Sequence, residues 1–283
     1  MDIQFAEPEE RLATMVRAGT GSVELMAVEG YPPVAEFPLI FAALHRGDLV
    51  IGIPLFGGEA ELLNAAARVE LLDCVYPGEL GSTGASLIGA CHCDGGAGRL
   101  IRRIAAVGGA LRPPNLAEQR ALALEIAEDL AHPELLAVGA EVRLAIIEPA
   151  SVDLVEPTGC QAVDPADLLL AEPDPFSDIE AVWLARLNDP ASGVTRKMID
   201  NLCVDNPQGM WSGESVPPRS AAVTAMDRFG VTLSALDHLG VRREWRLGFG
   251  SDCVTIADLG REIRELCGMC PGRGALHPRN PAR

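Results

Sequence analysis

The chain has 283 residues, of which 48% are hydrophobic and 4% aromatic, and its formal net charge is −17. The hydrophobic content is enough for a buried core, whereas the negative charge argues against binding to nucleic acid or to anionic lipid. No apolar run reaches the roughly 18 residues that cross a bilayer, and the acidic start lacks the apolar segment of a secretory signal. We therefore expect a cytoplasmic protein with no nucleic-acid or membrane partner, whose eight cysteines remain thiols.

The first 160 residues combine several short strand patterns with few helices. Gly19 and Gly21 stop the first helix, and the sequence HRGD at His45–Asp48 predicts a hairpin turn. Pro149 predicts a break between two strands in residues 141–157. Strand patterns lie in residues 22–30, 38–44, 48–56 and 68–76, and helix patterns in residues 9–22, 59–68 and 116–132. Short strands with few helices favour a small barrel over an alternating βαβ fold.

The last third of the chain reads as a separate, smaller unit. A helix is predicted after residue 177, with Ser177 as the N-cap and Glu180 completing a capping box. Three strands follow in residues 221–249, joined by the turns DRFG and DHLG, in which glycine is expected to supply a positive φ. Thr255 is predicted to cap a final helix.

Three stretches of this region resemble a known domain: AAVTAMDRFGVTLSAL, GVRREWRLGF and IADLGREIREL. They are similar to the C-terminal domain of unknown function number 2470, which accompanies split-barrel proteins of the haem-utilisation and pyridoxamine-phosphate-oxidase-like group. Upstream, GDLVIGIPLFGGEAELLNAAARVELLDCV is similar to the hairpin and helix that carry the flavin phosphate site in flavin-binding relatives. The resemblance is more specific in the last hundred residues than in the barrel.

The resemblance implies an α+β fold in which a split β-barrel domain precedes a small α-βββ-α domain. We place the barrel domain at residues 1–160, a linker at 161–176, the small domain at 177–267 and a flexible tail at 268–283. It also implies a cytosolic homodimer. Members of this group bind flavin or haem, degrade haem, or bind a partner enzyme of tetrapyrrole synthesis without catalysis of their own.

Two departures from the family pattern bear on cofactors. The first helix of the small domain usually carries a histidine, a candidate haem contact, where this chain has Ala191, and Pro190 predicts that the helix ends or restarts there. In the loop that would hold the flavin phosphate, Gly57 and Gly58 could offer backbone N–H groups. However, the acidic side chains of Glu59 and Glu61 would repel a phosphate, so the sequence argues against bound FMN.

Two groups of residues remain as candidates for holding haem. The tail contains Cys270 followed by proline, and then His277; thiolate and imidazole are common protein ligands of haem iron. The three-stranded region carries Arg242, Arg246 and His238, and its arginines could meet haem propionates or an acidic partner. The alternatives are an unstructured tail with idle thiols and arginines paired with carboxylates across neighbouring strands.

A thiol-based metal site is a weaker alternative. Cys91 and Cys93 form a CxC and Cys267 and Cys270 a CxxC, and together they would supply the four thiolates of a zinc site. Nothing in the sequence brings the two pairs together. Cysteines packed as small apolar residues are the competing interpretation, and the CxxC could also act as a redox pair.

The sequence therefore leaves three functional hypotheses. The first is a haem-handling protein that senses haem or, if it is an enzyme, degrades it as an oxidoreductase. The second is a non-catalytic regulatory protein that binds a protein partner and has lost both cofactor sites. The third is the zinc or redox module. The sequence leans away from an enzyme, because no pair of carboxylates and no nucleophile motif has a spacing suited to catalysis.

Overall fold

The computed structural model describes residues 5–26, 35–55, 66–76, 99–156, 159–205, 221–236 and 242–268. These residues form two compact units. One comprises residues 7–73 and 102–173, and we call it the barrel unit; the other comprises residues 1–6, 74–101 and 174–283, and we call it the small-sheet unit. The linear domain boundaries given above stay predictions.

The barrel unit is built mainly from one antiparallel sheet, with helices beside it. Its helices and strands are α1 (Pro8–Ala18), β1 (Gly21–Met26), β2 (Ala35–Pro38), β3 (Phe41–His45), β4 (Asp48–Pro54), β5 (Ala66–Val75), β6 (Leu100–Arg112), α2 (Leu116–Ile126), a 3-10 helix (Pro133–Ala137), β7 (Val142–Glu156), β8 (Gly159–Ala162) and α3 (Pro165–Leu170). The strand order is β2-β1-β5-β6-β7-β4-β3, and β8 pairs with β7. The sheet is a curled, antiparallel half-barrel, which is the coarse architecture that the sequence predicted.

Local chemistry accounts for the start of this unit. Pro8 opens α1, where its missing N–H costs no helical bond, and Gly19 closes the helix with a φ of 63°. The predicted HRGD hairpin joins β3 to β4: Arg46 and Gly47 both have positive φ, at 50° and 80°. Positive φ at both central residues is typical of the tight hairpin turn whose twist matches that of the strands.

The predicted break at Pro149 is wrong, because β7 is one continuous strand. Pro149 pairs with Gly109, while Ser151 pairs with Gly108, so one extra residue is accommodated as a bulge between them. On the other side, β4 pairs with β7 only as far as Ile147, so the missing N–H of the proline breaks no bond there.

One strand of this unit was missed by the sequence analysis, and two predicted helices need correction or limits. Strand β6 was not predicted at all. The helix predicted over residues 59–68 lies mostly outside the described residues, and its last three residues belong to β5 instead. The helix predicted to end at His132 ends at Ile126, and His132 caps the following 3-10 helix by accepting a bond from the Glu134 N–H. The segment 161–176, predicted to be a linker, contains the end of β8 and helix α3.

The small-sheet unit contains three strands and three helices in the part that is described. They are α4 (Glu180–Leu187), α5 (Val194–Asp205), β9 (Ala221–Asp227), β10 (Gly230–Leu236), β11 (Arg242–Gly248) and α6 (Ile256–Leu266). The strands form an antiparallel sheet in the order β11-β10-β9. This agrees with the predicted meander, and Thr255 caps α6 through a capping box with Asp258, as expected. The chain restarts as α5 after Pro190, which was also expected.

Two local predictions in this unit are wrong. Ser177 does not cap α4, because the helix begins at Glu180 and Ile179 takes the N-cap position. The carboxylate of Glu180 accepts the backbone N–H of Met226, at 2.9 Å. Gly230, in the turn DRFG, does not have a positive φ. A side chain is excluded there for another reason: a Cβ on Gly230 would lie 2.1 Å from the carbonyl oxygen of Leu247.

Each unit has its own apolar core. In the barrel unit, buried residues of α1 and the sheet pack together, among them Leu12, Val69 and Ile147. In the small-sheet unit, the core residues include Leu233, Trp245 and Ile263. Within the described ranges, no helix is long and apolar enough to cross a membrane.

Candidate functional site

The barrel unit contains a cavity of about 390 Å³. Its wall is formed by α1, by β3, by the end of α2 with the turn after it, and by the segment 171–173. Cavities that bind small molecules commonly measure about 300–1,000 Å³ and combine an apolar lining with a few polar groups. This cavity is therefore the strongest candidate for a ligand site in the part of the chain that the structure describes.

The floor of the cavity is apolar. Ala13, Val16, Ala42 and Ile126 line it, and each is almost completely buried, with 2% or less of its surface exposed. The helical spacing of Ala13 and Val16 puts both on one face of α1. None of these four side chains carries a polar group, so a ligand part that rests on them is apolar.

His45 supplies an imidazole to the wall of the cavity. It is the last residue of β3, and its side chain is 15% exposed. Its Nε2 atom lies 3.1 Å from a carboxylate oxygen of Glu125 on α2, and the other oxygen of Glu125 lies 3.2 Å from the guanidinium of Arg46. The Nδ1 atom of His45 has no hydrogen-bond partner among the described residues. The carboxylate therefore fixes one ring nitrogen, and the other is left for a further interaction.

The rim of the cavity carries charge of both signs. Asp129 and Glu172 line it and are exposed, and Arg17 lines it and is half-buried. With a neutral His45, the lining charges sum to −1. The rim is therefore mildly acidic, in keeping with the net charge of the whole chain.

The small-sheet unit holds Arg246, one of the predicted haem contacts. Its side chain is 3% exposed and forms an ion pair with Asp227 across the sheet. A second nitrogen, Nη1, donates to the hydroxyl of Thr232 at 3.4 Å, and the guanidinium lies 5.4 Å from the ring centre of Phe5. The buried Nε atom has no hydrogen-bond partner in the described ranges. This is the cross-strand carboxylate pairing that the sequence analysis kept as the alternative.

Cys267, predicted as a zinc or redox thiol, lies in the core of the small-sheet unit. Its thiol is 3.8 Å from the carbonyl oxygen of Val194, and burial raises its pKa. Burial, with the neighbouring carboxylate of Glu262, also raises the pKa of the Cys253 thiol to about 12. Thiols whose pKa is raised in this way stay protonated near neutral pH and are poor nucleophiles. No group of three or more metal-binding side chains occurs in the described part of the chain.

Most of the remaining predicted site residues lie outside the ranges that the structure describes. Cys91, Cys93, His238, Cys270 and His277 lie outside the described residues, as do the flavin-loop positions 57–61. Arg242 begins β11, paired with Leu236, but its side chain is not described. Ala191 is described and lies in an exposed turn after α4, where its N–H donates to the Asp189 side chain.

A second charged cluster in the barrel unit joins β5, β6, β7 and α1. Asp73 pairs with Arg102 and with Arg103, which also donates to Glu156; Arg11 donates to the same oxygen of Glu156. Burial alone would raise the pKa of Asp73, but the guanidiniums of Arg102 and Arg103 outweigh it and hold that pKa below its ordinary value. Every carboxylate and guanidinium named here is already bonded to another, so we assign the cluster to stability.

Sequence reasoning identified His45 only as part of a turn. The histidine becomes part of a site because α1, β3, α2 and residues 171–173 meet around it, and these lie far apart along the chain. The available sequence signal was the residue type itself: a histidine closing a strand whose other members are apolar.

No protein-family model and no curated protein matches the chain. Among solved structures, a heme binding protein from Mycobacterium smegmatis is similar over 94% of this chain and 98% of its own, with a TM-score of 0.53 and 16% identity. This similarity supports the predicted combination of a split-barrel-like sheet with a small second sheet, and at this identity it concerns the fold alone.

Two weaker similarities carry no structural argument. An FAD- and heme-binding protein from Mycobacterium smegmatis matches 60% of this chain and 80% of its own, with 16% identity and a TM-score of 0.34. A protein of unknown function from Agrobacterium tumefaciens matches 92% of this chain and 96% of its own, with 15% identity and a TM-score of 0.33. The resemblance to the domain of unknown function number 2470 stays a prediction.

Proposed function

We propose that this protein binds haem, and that the cavity of the barrel unit holds it with His45 as the ligand of the iron. The observation that carries the proposal is a histidine on the wall of a cavity with an apolar floor, held by a carboxylate behind it: a carboxylate oxygen of Glu125 lies 3.1 Å from Nε2 of His45. Histidines that bind metals commonly donate their second ring N–H to a carboxylate in this way. The fold shared with a heme binding protein adds support, at low identity.

The residues present fit the group in chemistry and, in part, in size. An imidazole is a common protein ligand of haem iron, and the floor of Ala13, Val16, Ala42 and Ile126 suits the apolar edge of a porphyrin. The cavity is smaller than a complete porphyrin with its substituents, so part of the macrocycle would lie outside the mouth. When bound, haem would supply an iron centre able to take a ligand or an electron.

The roles of the chain's own residues follow from their positions. His45 would ligate through Nδ1 while Glu125 retains Nε2 and sets the orientation of the ring. Arg46, which is 73% exposed, restrains Glu125 from the solvent side. Sensing, haem degradation and regulation of a protein partner are further hypotheses. They depend on what happens after haem has bound, as does the predicted homodimer.

The test is a haemin titration of the reduced protein, followed by the Soret absorbance. Wild type is expected to saturate at one haem per chain, and His45→Ala to bind at least about tenfold more weakly, because an iron ligand is lost. His132→Gln is the matched control: it removes a histidine of the same unit that does not line the cavity. His277→Ala tests the competing ligand in the tail.

The outcomes separate the hypotheses. Weakening by His277→Ala but not by His45→Ala would place the ligand in the tail, as the sequence analysis predicted, and would contradict the cavity. Absence of saturable binding by wild type would contradict haem binding altogether and would favour the non-catalytic protein-binding hypothesis.

A further inference from the structure

The cavity of the barrel unit differs sharply in character between its floor and its rim. The four floor residues are buried and apolar, whereas the two carboxylates of Asp129 and Glu172 stand exposed at the rim. A ligand that enters the cavity therefore comes close to two exposed negative charges as well as to an apolar surface. The guanidinium of Arg17 offsets one of these charges.

This arrangement discriminates between the edges of a tetrapyrrole. An edge that bears carboxylates would have to leave water at a rim where the carboxylates of Asp129 and Glu172 outnumber the guanidinium of Arg17. It would then rest on floor side chains that carry no hydrogen-bond donor. Burying a charge without a partner is costly, and like charges at the rim add repulsion. An edge that bears only methyl and vinyl groups meets neither penalty and gains from the removal of apolar surface from water.

We propose that Asp129 and Glu172 determine specificity, so that the cavity admits tetrapyrroles with one edge free of carboxylates and takes up that edge first. The carboxylates of the ligand then remain outside the rim. Selection works by excluding the wrong ligand more than by attracting the right one. This inference rests on the proposed haem binding and deepens it by naming the class of tetrapyrrole.

The test compares two iron porphyrins on the same protein. Haemin carries its two propionates on one edge, whereas iron coproporphyrin III carries a propionate on every pyrrole ring. We expect wild type to bind haemin at least about tenfold more tightly than iron coproporphyrin, because every edge of the latter brings a carboxylate to the rim. The ratio of the affinity for haemin to that for iron coproporphyrin should fall as the salt concentration is raised, because the charges at the rim are exposed and salt screens them.

The decisive variant is the double substitution Asp129→Asn and Glu172→Gln. It should reduce the preference for haemin to below about threefold by strengthening the binding of iron coproporphyrin, since the repulsion at the rim is removed. The matched control is Glu134→Gln with Glu141→Gln, which removes two exposed carboxylates of the same unit that do not line the cavity. The control should keep the wild-type preference.

The results distinguish the failure of each claim. Equal binding of both porphyrins by wild type, or an unchanged preference in the rim variant, overturns the specificity inference while haem binding stands. A change of the same size in the control variant also overturns it, because the effect would then come from net charge. Failure of wild type to bind haemin overturns both the inference and the proposed function.

Discussion

The two units of this protein each contain a charged pair beside a sheet, but the surroundings of the two pairs differ. In the small-sheet unit, Arg246 and Asp227 are 3% and 16% exposed. The pair is bonded further on both sides, to Thr232 and to the N–H of Phe229. In the barrel unit, His45 and Glu125 are 15% and 38% exposed, and His45 lines a cavity. The Arg246–Asp227 pair has further hydrogen-bond partners inside its unit. In the barrel unit, Nδ1 of His45 has no hydrogen-bond partner among the described residues, and its side chain lines a cavity.

This difference teaches how a binding site is distinguished from a structural pair. The sequence drew attention to Arg246 because Arg242, Arg243 and Arg246 lie on one predicted strand of an acidic chain. Their number says little about function, since a buried guanidinium needs a carboxylate simply to be tolerated. A ring nitrogen that has no hydrogen-bond partner among the described residues, on a side chain that lines a cavity, is stronger evidence for a binding site. Such an arrangement depends on tertiary structure. The predictions below test this distinction through stability first and binding second.

The largest expected effect on stability comes from breaking the buried pair. Arg246→Met should lower the free energy of unfolding by about 3–5 kcal/mol, because it leaves the carboxylate of Asp227 buried without its counter-ion. Urea denaturation followed by far-UV circular dichroism measures this loss. Adding Asp227→Asn, which keeps an acceptor for the Phe229 N–H, should recover at least half of it. A loss below about 1 kcal/mol for the single variant would mean that the pair is not buried in solution.

A somewhat smaller effect is expected from the charged cluster of the barrel unit. Asp73→Asn should cost about 2–3 kcal/mol at pH 7, because Arg102 and Arg103 lose the carboxylate that neutralises them. The folded-state pKa of Asp73 lies below its ordinary value, so its contribution is complete above about pH 4 and is lost as the pH falls through the lower, folded pKa. The variant should therefore show a shallower decline of stability below pH 4 than wild type. Identical acid profiles would contradict the assignment.

Adjacent glycines of β6 test the backbone geometry at the bulge. Gly109→Ala should cost about 1–3 kcal/mol, because its Cβ would lie 2.1 Å from the carbonyl oxygen of Glu148 and the backbone must move. Gly108→Ala is the matched control, since the nearest atom to its Cβ is the rotatable hydroxyl of Ser151. Thermal unfolding of both variants gives the comparison. Equal losses would contradict the described register of β6 against β7.

The smallest effect on stability is expected at the candidate site itself. His45→Ala should change the free energy of unfolding by less than about 1 kcal/mol, because its partner Glu125 is 38% exposed and its own side chain lines a cavity instead of packing on all sides. The same variant should lose most of its haem affinity. Denaturant unfolding without haem, beside the haemin titration, measures both quantities. A large loss of stability would place His45 with Arg246 among the structural residues.

The elements that could be predicted from sequence are those set by local chemistry. Three features were predicted correctly: the cap at Thr255, the helix end at Gly19 and the HRGD turn. Each depends only on residues that are close in sequence, so the sequence pattern was enough to predict it. The strand break predicted at Pro149 was wrong because the bulge that accommodates the proline is formed with β6, about 40 positions earlier in the chain. The capping box predicted for Ser177 and Glu180 was wrong, and the carboxylate of Glu180 binds the backbone N–H of Met226, which lies far along the chain. The cavity could not be foreseen, since its wall joins four separated segments.

The most direct test of the central claim is hydrogen exchange measured with and without haemin, because it locates binding in one unit or the other. The account predicts slower exchange in α1, β3 and the end of α2, around residues 126–130, and little change in β9, β10 and β11. Protection confined to the three-stranded sheet, around Arg242 and Arg246, with none at the cavity, would contradict it. That result would move the haem site to the small-sheet unit.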